Sequence, residues 1–178
     1  MTPRQWQVVT AGLIVALAVL LQFVVIARLP WLGASLVVCA VAGVGMAGGQ
    51  TFGAVAGFGA GFALDVLPPA DGLLGATALA LVVVGAVAGR VRDPRGLAPL
   101  QLLGIMAGLA MVAATITLAF TALLTGGVTT SASSLVGLLA YVVATAIAGT
   151  IIVPVVGMAL RRFGGGRRRR RRLATVAG

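Results

Sequence analysis

Residues 32–67 form one apolar stretch whose only charge is Asp65. As a single helix it would be about 54 Å long at 1.5 Å per residue. A hydrocarbon core of about 30 Å cannot accommodate that length by tilt alone. The chain must therefore turn, and Gly48-Gly49-Gln50-Thr51 is where it can. Two short spans result, residues 32–48 and 51–67. Glycine recurs every fourth residue through this turn, at Gly45, Gly49, Gly53, Gly57 and Gly61, and Asp65 takes the next place. Residues four apart share one face of a helix, and a glycine stripe lets another helix backbone come close.

The same spacing recurs at Gly85/Gly89 and at Gly104/Gly108. Internal packing of a small, tight bundle accounts for all of these pairs. Homodimerisation or the docking of a foreign helix is the other use of such a stripe. Gly53, Gly57, Gly61, Asp65, Gly85 and Gly89 are thus candidate helix-packing or partner contacts.

Asp65 is the one residue with a clear energetic penalty. At a helix centre an Asp costs roughly 2.5–3.5 kcal/mol on insertion scales, and less near an interface. The neighbouring Pro68-Pro69 turn places it near an interface. Two roles stay open: an acid that orders the loop by accepting backbone N–H groups near Gly72, or a contact between helices or with a partner. A proton relay lacks a second membrane acid to receive the charge.

Only 9% of residues are charged and 60% are hydrophobic. About a quarter of the residues in a soluble domain are charged. The class expected is an all-α polytopic membrane protein, with about six helices in one compact bundle over residues 1–163. The spans fall at about 7–27, 32–48, 51–67, 73–89, 99–124 and 134–160. Arg28-Leu29-Pro30-Trp31, Pro68-Pro69-Ala70-Asp71-Gly72 and a charged loop at 90–96 separate them, and Pro154 marks a kink in the last. Residues 164–178 form an arginine-rich tail expected to be disordered.

All but Arg28 of the 13 basic residues, every one an arginine, fall on one side of that topology. The positive-inside rule then places both termini and the 90–96 loop in the cytoplasm. Arg90, Arg92, Arg95, Arg161 and Arg162 become candidate contacts for anionic lipids or a cytoplasmic partner. Nucleic acid is not expected, because no aromatic residues interleave the arginine run.

Enzymatic chemistry lacks its parts. There is no histidine or glutamate, and the three aspartates do not pair in sequence. Cys39 stands alone, no zinc-type cluster is present, and no phosphate-binding loop occurs. No cofactor or metal is expected. Gln22, Gln50, Thr115, Thr117 and Thr121 read as hydrogen-bonding glue between helices.

The segment Gly57-Phe58-Gly59-Ala60-Gly61-Phe62-Ala63-Leu64-Asp65-Val66-Leu67 precedes Gly72-Leu73-Leu74-Gly75-Ala76-Thr77-Ala78-Leu79 and a span ending at Gly89-Arg90. This pattern resembles the rod shape-determining protein MreD family: a glycine-rich helix closing on Gly-x-x-x-Asp, a short outer loop, then a Leu/Gly helix. The resemblance implies a bacterial plasma-membrane scaffold of the cell-elongation machinery. It implies a single-span MreC-like partner and, through it, MreB-like filaments and the peptidoglycan synthases of the lateral wall. It also implies a fold similar to the substrate-binding subunits of energy-coupling-factor transporters. Asp65 is the family-matching acid. A vitamin-type transporter subunit is the competing function, and it would need several convergent polar groups.

Overall fold

The computed structural model describes residues 3–28, 35–66, 75–91, 98–125 and 132–164. These form six helices, α1 Pro3–Arg28, α2 Leu36–Gly48, α3 Gln50–Val66, α4 Ala76–Ala88, α5 Pro99–Thr125 and α6 Ala132–Gly164, and no strand among the described residues. Two stretches, Pro99–Phe120 and Leu135–Leu160, are long and apolar enough to cross a membrane. Val8–Val24, Leu36–Gly48 and Ala76–Ala88 are shorter apolar helices.

The turn that the length argument demands is made by one residue. Gly49 separates α2 from α3 at φ 95°, a conformation glycine adopts without steric penalty. Its N–H reaches back to the Gly45 carbonyl at 2.7 Å, and its own carbonyl accepts from the Gly53 N–H at 2.9 Å. The two helices leave this hinge in close contact. A Cβ placed on Gly53 would lie 2.7 Å from the Cα of Gly45.

Helix α2 is the hub of the bundle and touches each of the other five helices. Every residue from Val37 to Met46 is buried, so it has no solvent or lipid face along that run. Its 13 residues span only about 20 Å. It starts at residue 36, later than the expected 32, because Ser35 is its N-cap: the Ser35 Oγ accepts the Val38 N–H at 3.3 Å. Residues 32–34 lie outside the described residues.

The surrounding helices bury one stripe each. On α5 the buried residues are Leu102, Met106, Leu109, Ala110 and Ala113, at helical spacing. Pro99 opens that helix, and the Gln101 Oε1 accepts the Ala98 N–H at 3.0 Å, half of a capping box. Helix α6 presents Gly149 to the Met106 side chain and Val156 to Gly43 of α2. Pro154 lies inside α6, which stays a single helix from residue 132 to 164. Helix α4 starts at Ala76 rather than the expected 73, after Gly75 in the left-handed region at φ 99°.

A polar knot holds the start of α2 in place. The Thr145 Oγ1 of α6 accepts the Ser35 N–H at 3.1 Å, and the Gln22 Oε1 of α1 accepts the Leu36 N–H at 2.7 Å. The Cys39 thiol donates to the Thr145 carbonyl at 3.4 Å, and the Tyr141 side chain lies beside Ser35 and Thr145. Gln22 is therefore inter-helix glue, as its position in an apolar run implies. Thr115 and Thr117 donate back to the Met111 and Ala113 carbonyls of their own helix, at 2.8 and 2.9 Å.

Thr145 is fully buried. Thr145→Val keeps its shape but strands the Ser35 N–H, so a loss of about 1–3 kcal/mol is expected. Thermal unfolding in detergent reads it, with Thr115→Val as the control that shifts little.

Candidate functional site

The glycines of the sequence stripe and Asp65 converge on one interface. Helices α3 and α4 run antiparallel, and each step of four along α3 meets a step of three or four back along α4. A Cβ on Gly53 would overlap the Gly85 carbonyl, and one on Gly85 would overlap the Gly53 carbonyl. One turn on, a Cβ at Gly57 would strike the Leu81 carbonyl, and one at Gly61 would strike the Ala78 backbone. At the hinge end, Gly89 abuts the backbone of Gln50, its Cβ position 2.5 Å from the Gln50 Cα. Gly45 of α2 joins the same contact, 2.6 Å from the Gly85 carbonyl by the same measure. Three helix backbones thus meet with almost no side chain between them, as small residues permit.

Asp65 closes the seam. It is 8% exposed, and its Oδ2 accepts the Gly75 N–H at 2.8 Å and the Ala78 N–H at 3.2 Å. Gly75 is the N-cap residue of α4 and offers no side chain for the orphan donors of the first turn. Asp65 supplies that cap from the neighbouring helix, and its negative charge faces the positive end of the α4 dipole. The accepted donors are thus those of Gly75 and Ala78; Gly72 lies outside the described residues.

A second feature lies on another side of α3. Between α1 and α3 is an open groove of about 550 Å³, lined only by apolar residues. Gly12, Ala16 and Val19 form one wall and Ala56, Gly59 and Ala63 the other. Gly12 and Gly59 face open space, with nothing within 4 Å of a Cβ placed on either. The groove cannot orient a polar cofactor, because no hydrogen-bonding side chain enters it. The sequence pattern that marks it is a faint one, small residues three or four apart on two helices.

The remaining glycine pair behaves differently from the seam. Gly104 and Gly108 are exposed on α5, with nothing within 4 Å of either Cβ position. They lie on the outward face of α5, beside Leu100, Met111 and Val112. The expectation that every such pair packs internally does not hold for this one.

The cationic residues gather at the hinge end of the bundle. Arg90 follows Gly89, which abuts Gln50, and its side chain is exposed. Arg161 and Arg162 fall in the last turn of α6, with Arg162 exposed. Arg92, Arg95 and the run at 167–172 lie outside the described residues. Among the described residues, no group of three or more His, Cys, Asp or Glu side chains gathers as metal ligands would. No family model, curated protein or solved structure matches this chain.

Proposed function

We propose that this chain is a multi-pass bacterial plasma-membrane protein of about six spans, with both termini cytoplasmic. It acts as a non-enzymatic scaffold of the cell-elongation machinery. It binds an MreC-like single-span protein within the bilayer and supports cell shape and lateral peptidoglycan synthesis through MreB-like filaments and the synthases. The observation that carries this reading is the α3–α4 seam. The residues that resemble MreD are the ones that form it: Gly57, Gly61 and Asp65 on α3, answered by Leu81, Ala78 and Gly75 around α4.

Membrane embedding is supported by what the bundle turns outward. Leu13, Phe58, Leu79, Leu100, Leu139 and Ile147 are all exposed. Soluble monomers rarely present contiguous apolar patches beyond a few hundred Å². Exposed leucines on a lipid-facing surface incur no such penalty.

Because α4 fills the face of Gly53, Gly57 and Gly61, a partner helix meets the bundle elsewhere. Gly104/Gly108 is the helical glycine pair left open among the described residues. The test is co-purification in mild detergent with mass spectrometry of the bound proteins. A single-span wall-elongation protein is expected, and its recovery should fall several-fold in Gly104→Leu at unchanged protein level. Recovery of an ATPase module instead would overturn the scaffold reading. It would favour the alternative, a substrate-binding subunit of a vitamin-type transporter. The polar knot of Ser35, Tyr141 and Thr145 is the feature that favours this alternative. The Ser35 amide and the Thr145 hydroxyl, however, are already bonded to each other, and the open groove is apolar.

A further inference from the structure

We infer that the α1–α3 groove holds an acyl chain of an anionic phospholipid, with the headgroup at the Arg162 end. The inference rests on the membrane reading above and adds a specific ligand to it. Three observations select a lipid over a helix or a second copy. The first is length. The groove follows residues 8–20 of α1 and 52–63 of α3. At 1.5 Å per residue these are about 18 and 17 Å. One leaflet is about 15 Å deep, half of a hydrocarbon core of about 30 Å, whereas a spanning helix needs the full depth. The second is chemistry: the lining is Gly, Ala, Val, Leu and Phe throughout, suited to a hydrocarbon chain and to nothing polar.

The third observation is charge placement. Ala11 and Phe52, at one end of the groove, belong to the same packed cluster as Leu160 of α6. Arg162 comes two residues after Leu160 and is exposed. The Ala11 and Phe52 end of the groove is therefore the cationic end of the bundle, and the groove is about one leaflet deep. An anionic headgroup with a chain below it matches both parts.

The test uses the full chain in mild detergent with added phosphatidylglycerol or phosphatidylcholine, read by thermal unfolding and native mass spectrometry. Phosphatidylglycerol is expected to raise the unfolding temperature and to remain bound at one molecule per chain, while phosphatidylcholine does neither. Gly59→Leu fills the groove and should abolish the difference between the lipids. Gly12→Leu does the same from the opposite wall, should the first variant fail to fold. Arg162→Gln should weaken the phosphatidylglycerol effect about fivefold, the loss of one basic residue near a membrane surface. Identical responses to both lipids would overturn the assignment, as would a phosphatidylglycerol effect that survives both groove variants. So would loss of a dimer, or of the single-span partner, on filling the groove. A chain that stays in aqueous solution without detergent would sink the membrane reading itself. Lipid indifference in a detergent-dependent chain sinks only the groove assignment.

Discussion

Gly53→Leu is expected to cause the largest fall in stability of any single substitution in the bundle. The atoms facing Gly53 are the carbonyl of Gly85 and the Cα of Gly45, so no side chain can rotate away. Overpacking a close-packed site typically costs about 1–3 kcal/mol, and a clash with backbone belongs at or beyond the upper end. About 3 kcal/mol corresponds to roughly 6–12 °C in unfolding temperature for a chain of this size. Even Gly53→Ala should destabilise, since its single added carbon already overlaps Gly85. Gly59→Ala, on the same helix, is the internal control. Gly59 faces open space, and Ala is favoured over Gly inside a helix by roughly 0.5–1 kcal/mol. The two alanine variants should therefore move in opposite directions in a detergent melting experiment. A shared direction and size would mean that α4 does not lie on the Gly53 face.

The second large effect is at Asp65, and it separates hydrogen bonding from charge. Asp65→Leu leaves the exposed Gly75 N–H and the buried Ala78 N–H without their acceptor. Stranding the buried Ala78 donor costs on the order of 1–3 kcal/mol, and the exposed Gly75 donor less. Asp65→Asn keeps a carbonyl oxygen in the same place and loses only the interaction of charge with the α4 dipole, about 0.3–1 kcal/mol. The expected order of unfolding temperature is wild type, then Asn, then Leu well below. Faster amide exchange at Gly75 and Ala78 in the Leu variant would place the loss at the α4 cap. Equal losses in the two variants would make the charge itself the cause.

The parts of this molecule legible from sequence are those governed by local rules. The break near Gly49 follows from length, because the apolar residues 32–67 in one helix would span about 54 Å. The stripe Gly53/Gly57/Gly61 follows from helical spacing. What faces it does not: Gly104/Gly108 has the same spacing as Gly85/Gly89, yet one pair is open and the other meets a backbone. Periodicity defines a face of a helix and leaves its occupant undetermined. The same limit applies to Thr145, whose hydroxyl is bonded by the backbone of Ser35, 110 positions earlier. Nothing local distinguishes it from Thr115, which turns back on its own helix. The cost of a buried charge narrows Asp65 to a loop-ordering or contact role. Its role as a cap for α4 depends on the antiparallel register of two helices, a tertiary property.

The enclosure of α2 bears on how the protein is made. This early segment is wrapped in part by α6, the last of the six described helices, and Ser35 waits for an acceptor on that helix. A nascent chain released after α5 would carry an unsheathed centre, with bare glycine flanks and an unanswered amide. Burial of α2 is therefore complete only once α6 is in place. Proteases would have their longest opportunity in the interval before α6 packs against α2.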